Sequence, residues 1–182
     1  MTLASLGQLA VAPHATSGLP QQQALAQALK ALDPGPILAK VPPQAPGRYA
    51  GWPVERWSGA QLSVFALGPR TTIPLHDHPG MHVFTRVLRG RAALVAYDWV
   101  DRECLLAANR VASSFVPEAP VWLTEPERSN LHALETHDQP CVFLDLFLPY
   151  YDEGAGRSCS YYDVRARGAD PRGVTQLVRR AD

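Results

Sequence analysis

From about residue 60 onward, the chain consists of short apolar runs separated by Gly, Pro and Asn, a pattern typical of β-strands joined by turns. No helical pattern separates these runs, so the strands are expected to pair antiparallel. A sandwich or a small barrel closes such strands without leaving long unpaired edges, and the chain is predicted to be all-β. The predicted strands lie at residues 61–67, 83–88, 91–100, 113–116, 121–123, 131–135 and 141–148.

The N-terminal 60 residues have a different character. Residues 21–32 (QQQALAQALKAL) are rich in Ala, Leu and Gln and precede the breaker DPGP at 33–36, which predicts one short helix. Residues 40–57 are rich in Pro, Gly and aromatic side chains, which predicts an irregular segment lying across a surface. We expect this extension to pack on the strand-rich unit as a cap.

Length and charge limit the classes of function. The chain has 182 residues, 46% of them hydrophobic, and this size favours one compact domain with a real core. Its 17 basic residues balance 17 acidic ones. Zero net charge argues against nucleic acid or a membrane surface as a partner, and we expect a monomer.

Cysteine usage and the N-terminus predict a cytoplasmic protein. Cys104, Cys141 and Cys159 are scattered singly, without the Cys-x-x-Cys pairs of zinc or redox sites, so a disulfide framework is not expected. The first basic residue is Lys30, so the chain lacks the basic start of a secretory signal. No apolar run approaches the roughly 18 residues that a spanning helix needs.

The chemistry concentrates at residues 73–81, which read IPLHDHPGM. His76 and His78 are two residues apart on a predicted extended segment, so both imidazoles point to the same side and can reach one metal ion. Taken alone, the motif is equally compatible with a polar turn, because Pro and Gly follow it. A metal site needs at least one more protein ligand.

His132 is the favoured third ligand. It lies between a turn signal and an apolar strand, 54 residues after His78, a separation that suits a ligand from the opposite strand pair of a barrel. His14 lies in a stretch with no predicted structure, and His137 lies in a turn where a surface histidine needs no explanation. His82 is an even number of residues from His76 and His78 and would face the same side of a regular strand, but Pro79-Gly80 interrupts the strand. It is predicted to be a neighbour or a core histidine, with a fourth ligand as the alternative.

The flanks of the histidine pair resemble the first cupin motif, in which glycines enclose His-x-His and a Glu. Gly68 and Gly90 match the glycines, and Val83 stands where the Glu is expected. Five motifs in order then resemble the cysteamine dioxygenase and plant cysteine oxidase family of thiol dioxygenases. They cover residues 62–163 and read IPLHDHPGM at 73–81, YDWVD at 97–101, NLH at 130–132, LD at 144–145 with Pro149 and Tyr151, and GRSCSYY at 156–162.

This resemblance implies a cupin double-stranded β-helix, a jelly-roll barrel, at residues 61–163. Residues 1–60 would be a short helical extension and residues 164–182 a C-terminal tail. The family's ligands to Fe(II) correspond to His76, His78 and His132. Three neutral imidazoles would leave the cation its full charge and favour thiolate binding, which makes the absence of a Glu at Val83 consistent.

The resemblance also implies four further site residues. Asp145 matches a carboxylate near the substrate, and we expect it to orient a histidine or the substrate amine; a structural aspartate is the alternative. Tyr151 would gate the iron site or hydrogen-bond to it. Cys159 and Tyr161 match positions that form a thioether crosslink in some members, and a small core thiol is the alternative for Cys159.

The expected activity is addition of O₂ to the sulfur of a small aminothiol such as cysteamine, or of an N-terminal cysteine, to give a sulfinic acid. One alternative is a dioxygenase of free cysteine or 3-mercaptopropionate. Such an enzyme calls for an Arg near the iron, and the sequence does not fix where Arg70 and Arg86 lie. The other alternative is a non-catalytic cupin whose histidines hold zinc or nickel.

Overall fold

The computed structural model describes residues 1–165 and 174–181, without the side chains of residues 109–111. Three helices precede the strands: α1 Leu3–Ala10, α2 Leu19–Lys30 and α3 Gly35–Leu38. A short 3₁₀ helix spans Glu153–Ala155. The strands are β1 Tyr49–Trp57, β2 Ala60–Leu67, β3 Thr72–Asp77, β4 His82–Gly90, β5 Ala92–Asp101, β6 Leu106–Phe115, β7 Trp122–Thr124, β8 Leu131–Glu135, β9 Cys141–Leu148, β10 Tyr162–Val164 and β11 Val174–Arg179.

The strands form two antiparallel sheets that pack against each other. One has the order β1-β2-β9-β4-β7 and the other β10-β11-β6-β5-β8-β3. Side chains of both sheets share one buried cluster, with Phe143 and Val87 from the first and Leu94 and Leu134 from the second. An isolated bridge between His76 and Tyr161 brings the two edges of the second sheet together. The predicted all-β jelly-roll barrel is confirmed.

Strand β9 is buried along its whole length because both of its faces are covered. Its even-numbered side chains, Leu144 and Leu146 among them, pack with Leu25 and Leu29 of α2 on the outside of the barrel. Its odd-numbered side chains face the barrel interior. A continuous apolar run such as CVFLDLFL is what a strand covered on both faces requires, and Asp145 is its one charged residue.

Two cations fasten α2 to the barrel. Arg86 on β4 donates from one terminal nitrogen to the carbonyls of Leu29 and Leu32, at 2.8 and 2.7 Å. Lys30 on the helix donates to the carbonyls of Pro117 and Ala119, at 2.6 and 2.8 Å. The Leu29 carbonyl, in the last turn of the helix, also accepts from the backbone N–H of Leu32 at 3.3 Å, so Arg86 adds a second bond there and anchors the end of α2 to β4.

The prediction of an irregular segment at residues 40–57 is wrong for its second half, because β1 pairs with β2 along Tyr49–Trp57. Pro53 is accommodated because β1 is an edge strand with an irregularity between Pro53 and Glu55. Gly51 is required by packing, since a Cβ there would lie 2.5 Å from the ring of Phe65.

The chain ends also differ from the predictions. The helix predicted at 21–32 lies at Leu19–Lys30, and neither α1 nor α3 was predicted; α3 begins at Gly35, inside the predicted breaker at 33–36. The predicted tail, 164–182, contains β11, which pairs with β6 and β10, whereas residues 166–173 and 182 lie outside the described residues. Within the part of the chain that the structure describes, no helix has the length and apolar character needed to span a membrane.

Candidate metal centre

Three buried histidines meet on the inner face of the barrel. His76 on β3 is the register partner of His132 on β8, and His78 follows two residues later, just after β3 ends. One ring nitrogen from each lies within 4.8 Å of the others. The expectation that His132 comes from the opposite strand pair is wrong: β8 is the immediate neighbour of β3. Register pairing therefore brings together residues that the sequence separates by more than 50 positions.

The outer nitrogen of each imidazole is held by a protein group. His76 Nδ1 donates to the carbonyl of Pro74 at 2.8 Å. Tyr151 donates its hydroxyl proton to the carbonyl of Asp77 at 2.9 Å, so the same oxygen accepts a bond from His78 Nδ1 at 2.7 Å. His132 Nδ1 lies 3.4 Å from the Thr124 hydroxyl. With the proton of His76 and His78 fixed on Nδ1, their Nε2 lone pairs are free for a metal.

The donor set fits a divalent cation. The Nε2 atoms of His78 and His132 lie 3.2 Å apart, and two such lone pairs repel unless a cation or a proton lies between them. Burial and the neighbouring histidines hold the pKa of His78 well below its usual value, and burial does the same for His132. Neutral imidazole is the form that binds metal. Val83, at the position of the expected Glu, is buried against Met81 and Phe147 and supplies no charge.

Asp77, between the first two histidines, serves the fold around the centre. Its side chain is buried and accepts bonds from the backbone N–H of Ser160 at 2.9 Å and the hydroxyl of Tyr162 at 3.0 Å. Strand alternation turns Asp77 away from the side of the two histidines, where an aspartate would ordinarily be exposed with a backbone amide as its partner. The amide is present, but the aspartate is buried, and the segment before β10 is fastened to β3 through it.

The histidines open into a cavity of about 380 Å³ between the sheets. On the inner face of the first sheet, register pairing aligns Ser63, Asp145 and Thr85 on three neighbouring strands. Thr85 donates to Asp145 at 2.5 Å. Burial raises the pKa of Asp145 to about 7, and the Thr85 bond opposes that rise. Asp145 is the only carboxylate among the described residues that line this cavity.

A family model, PCO_ADO, matches residues 56–176. The chain belongs to this family. The resemblance to cysteamine dioxygenases and plant cysteine oxidases is thereby confirmed.

The chain aligns over 56% of its length with each of two relatives. It is 35% identical over 109 residues to the probable 2-aminoethanethiol dioxygenase of Dictyostelium discoideum, covering 56% of this chain and 49% of the relative. It is also 35% identical over 108 residues to plant cysteine oxidase 2 of Arabidopsis thaliana, covering 56% and 39%. The chain thus spans about half or less of the length of these relatives.

A solved structure supports the fold of this PCO_ADO chain. It is an uncharacterized conserved protein with a double-stranded β-helix domain from Klebsiella pneumoniae, with a TM-score of 0.50 and 15% identity. The alignment covers 69% of this chain and 92% of the other.

All the site residues predicted from the resemblance fall inside the PCO_ADO match, and all line the cavity. Burial and the neighbouring Cys159 raise the pKa of Tyr151 well above its ordinary value, which keeps its hydroxyl protonated as His78 requires. Cys159 lies beside Tyr151 and Tyr161, each of which interacts with it. Its thiol pKa is raised, chiefly by burial. The crosslink between Cys159 and Tyr161 remains a prediction.

The other histidines lie apart from the centre. His82 begins β4 and is half-buried near Glu125, whose charge opposes the lowering of its pKa by burial. His137 lies in an exposed turn, where its carbonyl accepts a bond from the backbone of Arg70. Sequence reasoning missed Thr85, Ser63 and Thr124. Register with Asp145 brings Ser63 and Thr85 to the site, and the short connection from β7 to β8 brings Thr124 to His132.

Proposed function

We propose that this chain is an iron-dependent thiol dioxygenase that converts an aminothiol, R–SH, and O₂ into the sulfinic acid R–SO₂H. The substrate would be a small aminothiol or an N-terminal cysteine. Three findings support the proposal: the membership of the PCO_ADO family, the names of its relatives, and a three-histidine centre that opens into a cavity.

The charged side chains that line the cavity determine which class of thiol it favours. Asp145 is the one carboxyl among the described residues that line the cavity, and neither Lys nor Arg is among them. Arg86 is engaged with α2, and Arg70 lies in the turn before β3. A substrate carboxylate would therefore meet no cation besides the metal, whereas an ammonium can pair with Asp145. This arrangement favours an aminothiol over 3-mercaptopropionate.

The residues of this chain have distinct tasks in the proposed reaction. His76, His78 and His132 would hold ferrous iron, which would supply the chemistry with O₂ and favour the thiolate form of the substrate. Asp145 would accept the substrate ammonium and so direct the sulfur toward the histidines. Tyr151 keeps His78 in the tautomer with a free Nε2. The rings of Phe65, Phe143 and Phe147 line the cavity and limit its water.

An oxygen-consumption assay tests the proposal. The protein, loaded with ferrous iron under argon, is mixed with cysteamine, L-cysteine amide, free L-cysteine or 3-mercaptopropionate in aerated buffer, and the sulfinate is measured by mass spectrometry. We expect turnover of the first two and weak or no turnover of 3-mercaptopropionate. His132→Ala should lose iron and turnover, whereas His137→Ala, which removes a surface histidine, should keep both.

A measurement of metal content distinguishes the enzyme from the non-catalytic alternative. Protein purified without added metal should bind iron at about one ion per chain after loading. Tightly held zinc that iron cannot replace, together with no O₂ consumption with any of the four thiols, would refute the enzyme and support a structural cupin.

A further inference from the structure

We infer that Ser63, oriented by Gln61 and Arg56, is a specificity-determining residue that donates a hydrogen bond to a neutral carbonyl oxygen of the substrate. That carbonyl is attached to the carbon bearing the amine, as in a peptide or amide whose first residue is cysteine. The inference rests on the proposed function and deepens it, because cysteamine has no such oxygen.

A chain of hydrogen bonds runs from the barrel surface to the cavity. Arg56 on β1 and Gln61 on β2 are register partners, and both Nε and a terminal nitrogen of Arg56 donate to Gln61 Oε1, the first at 2.8 Å. Gln61 Nε2 then donates to Ser63 Oγ at 2.8 Å. The guanidinium also lies over the ring of Tyr150, 4.6 Å from its centre, which steadies its position.

Arg56 fixes which group donates and which accepts in each hydrogen bond of this series. A guanidinium has only donors, so it fixes the amide of Gln61 with its oxygen outward and its NH₂ group toward Ser63. An NH₂ group can only donate, and Ser63 Oγ must accept. The proton of the Ser63 hydroxyl is thus left over, and no described residue accepts it.

This spare donor lies in a position to meet a substrate. Ser63 is 4% exposed and lines the same cavity as the three histidines. Its register partner is Asp145 on β9, yet Asp145 takes its hydrogen bond from Thr85 on the other side. The cavity therefore offers an acceptor for an ammonium beside a donor for an oxygen. A cysteine residue at the start of a peptide carries those two groups on adjacent carbons.

The geometry favours a neutral carbonyl over the carboxylate of free cysteine. Gln61 stands between Arg56 and the cavity, so the positive charge polarises the donor chain without entering the site. A substrate carboxylate would instead lie beside the Asp145 carboxyl, which disfavours it whenever that group is ionised. A neutral amide oxygen accepts the same hydrogen bond without that repulsion.

A comparison of two substrates in a Ser63 variant tests the inference. The ratio of kcat/KM for L-cysteine amide to kcat/KM for cysteamine is measured with the iron-loaded full chain and with Ser63→Ala. Loss of one hydrogen bond to the substrate should lower this ratio about 3- to 10-fold. Ser63→Thr, which keeps the hydroxyl, should restore most of it. Gln61→Leu should lower it in the same direction, because the Ser63 hydroxyl loses its orientation.

A control serine variant and a binding measurement without turnover accompany this comparison. Ser58→Ala changes an exposed serine in the turn after β1 and should leave the ratio unchanged. Calorimetric titration under argon, where no turnover occurs, should show weaker binding of L-cysteine amide to Ser63→Ala by a similar factor. Thermal denaturation verifies that each variant is folded.

The outcomes separate the two proposals. Equal losses for both substrates in Ser63→Ala, or no change in the ratio, would overturn the role of Ser63 while turnover by the wild type upholds the proposed function. A selective loss for free L-cysteine alone would also overturn it, since the bound oxygen would then belong to a carboxylate. No turnover of any thiol by the wild-type iron protein would overturn both.

Discussion

The buried carboxyl of Asp145 should make the stability of the metal-free protein depend on pH in an unusual direction. Burial raises the pKa of this group from 3.8 to about 7 in the folded chain. The unfolded chain returns it to its ordinary value. Between these two values the folded state binds the extra proton, so the free energy of unfolding falls as the pH rises. The loss is complete above about pH 7 and absent below about pH 4.

The size of the effect follows from the shift. Each unit of pKa corresponds to about 1.4 kcal/mol, so a rise of about three units amounts to about 4 kcal/mol. Asp145→Asn removes the ionisation while keeping the shape. The variant should exceed the wild type in the free energy of unfolding by about 1 kcal/mol near pH 4.5 and by about 4 kcal/mol at pH 8.

Chemical denaturation of the chelator-treated protein measures this difference. Urea unfolding, followed by tryptophan fluorescence, is repeated at half-unit intervals between pH 4.5 and 8.5 for the wild type and Asp145→Asn. The difference between the two curves cancels the titration of all other groups. Asp163→Asn is the matched control, because Asp163 is exposed and bonded to Arg180 at the surface. The difference in the free energy of unfolding between Asp163→Asn and the wild type should not grow with pH in this way.

Thr85 provides an internal check on the cause. Its hydrogen bond lowers the pKa of Asp145, so Thr85→Val should move the fall in stability to higher pH. Bound metal should move it to lower pH, because a nearby cation favours the carboxylate. A difference between the wild type and Asp145→Asn that stays constant across the pH range would refute the reasoning that burial controls this carboxyl.

Three further changes test the contacts around the site. Tyr151→Phe should weaken metal binding about 10- to 100-fold in competition with a chelator, because His78 loses its Nδ1 partner; Tyr150→Phe is the control, and equal affinities would contradict the assignment. Arg86→Met should lower the free energy of unfolding by about 1–3 kcal/mol and speed amide exchange in α2, whereas slow exchange with unchanged stability would show that these bonds contribute nothing. Gly51→Ala should lower the melting temperature, since its Cβ would meet Phe65 at 2.5 Å, and an unchanged temperature would mean that the ring moves freely.

The histidine centre could be predicted from the sequence because its signal is local. His76 and His78 share a face through the two-residue period of a strand, and the motifs that follow identify the family. His132 was selected by its place before an apolar strand. What the sequence could not supply was the register of β3 with β8, which makes His132 the direct neighbour of His76. Register is set by pairing between distant segments and not by either segment alone.

Edge strand β1 was missed for a related reason. Prolines and glycines between residues 40 and 57 lower the intrinsic preference for a strand, and only the pairing with β2 reveals one. The partners of Asp77 were missed in the same way, because Ser160 and Tyr162 follow it by more than 80 residues. The bonds of Asp77 join elements that are distant in the chain, whereas β1 and β2 are adjacent strands joined by a two-residue turn.

The alternation along β9 connects the helical extension to the site. The even-numbered leucines of this strand need an apolar cover, and Leu25 and Leu29 of α2 provide part of it. The odd-numbered positions then face the cavity and place Asp145 between Ser63 and Thr85. A slip of one residue would bury the carboxyl under α2 and turn leucines toward the histidines. The helices outside the barrel therefore favour the one register that gives the inside its chemistry.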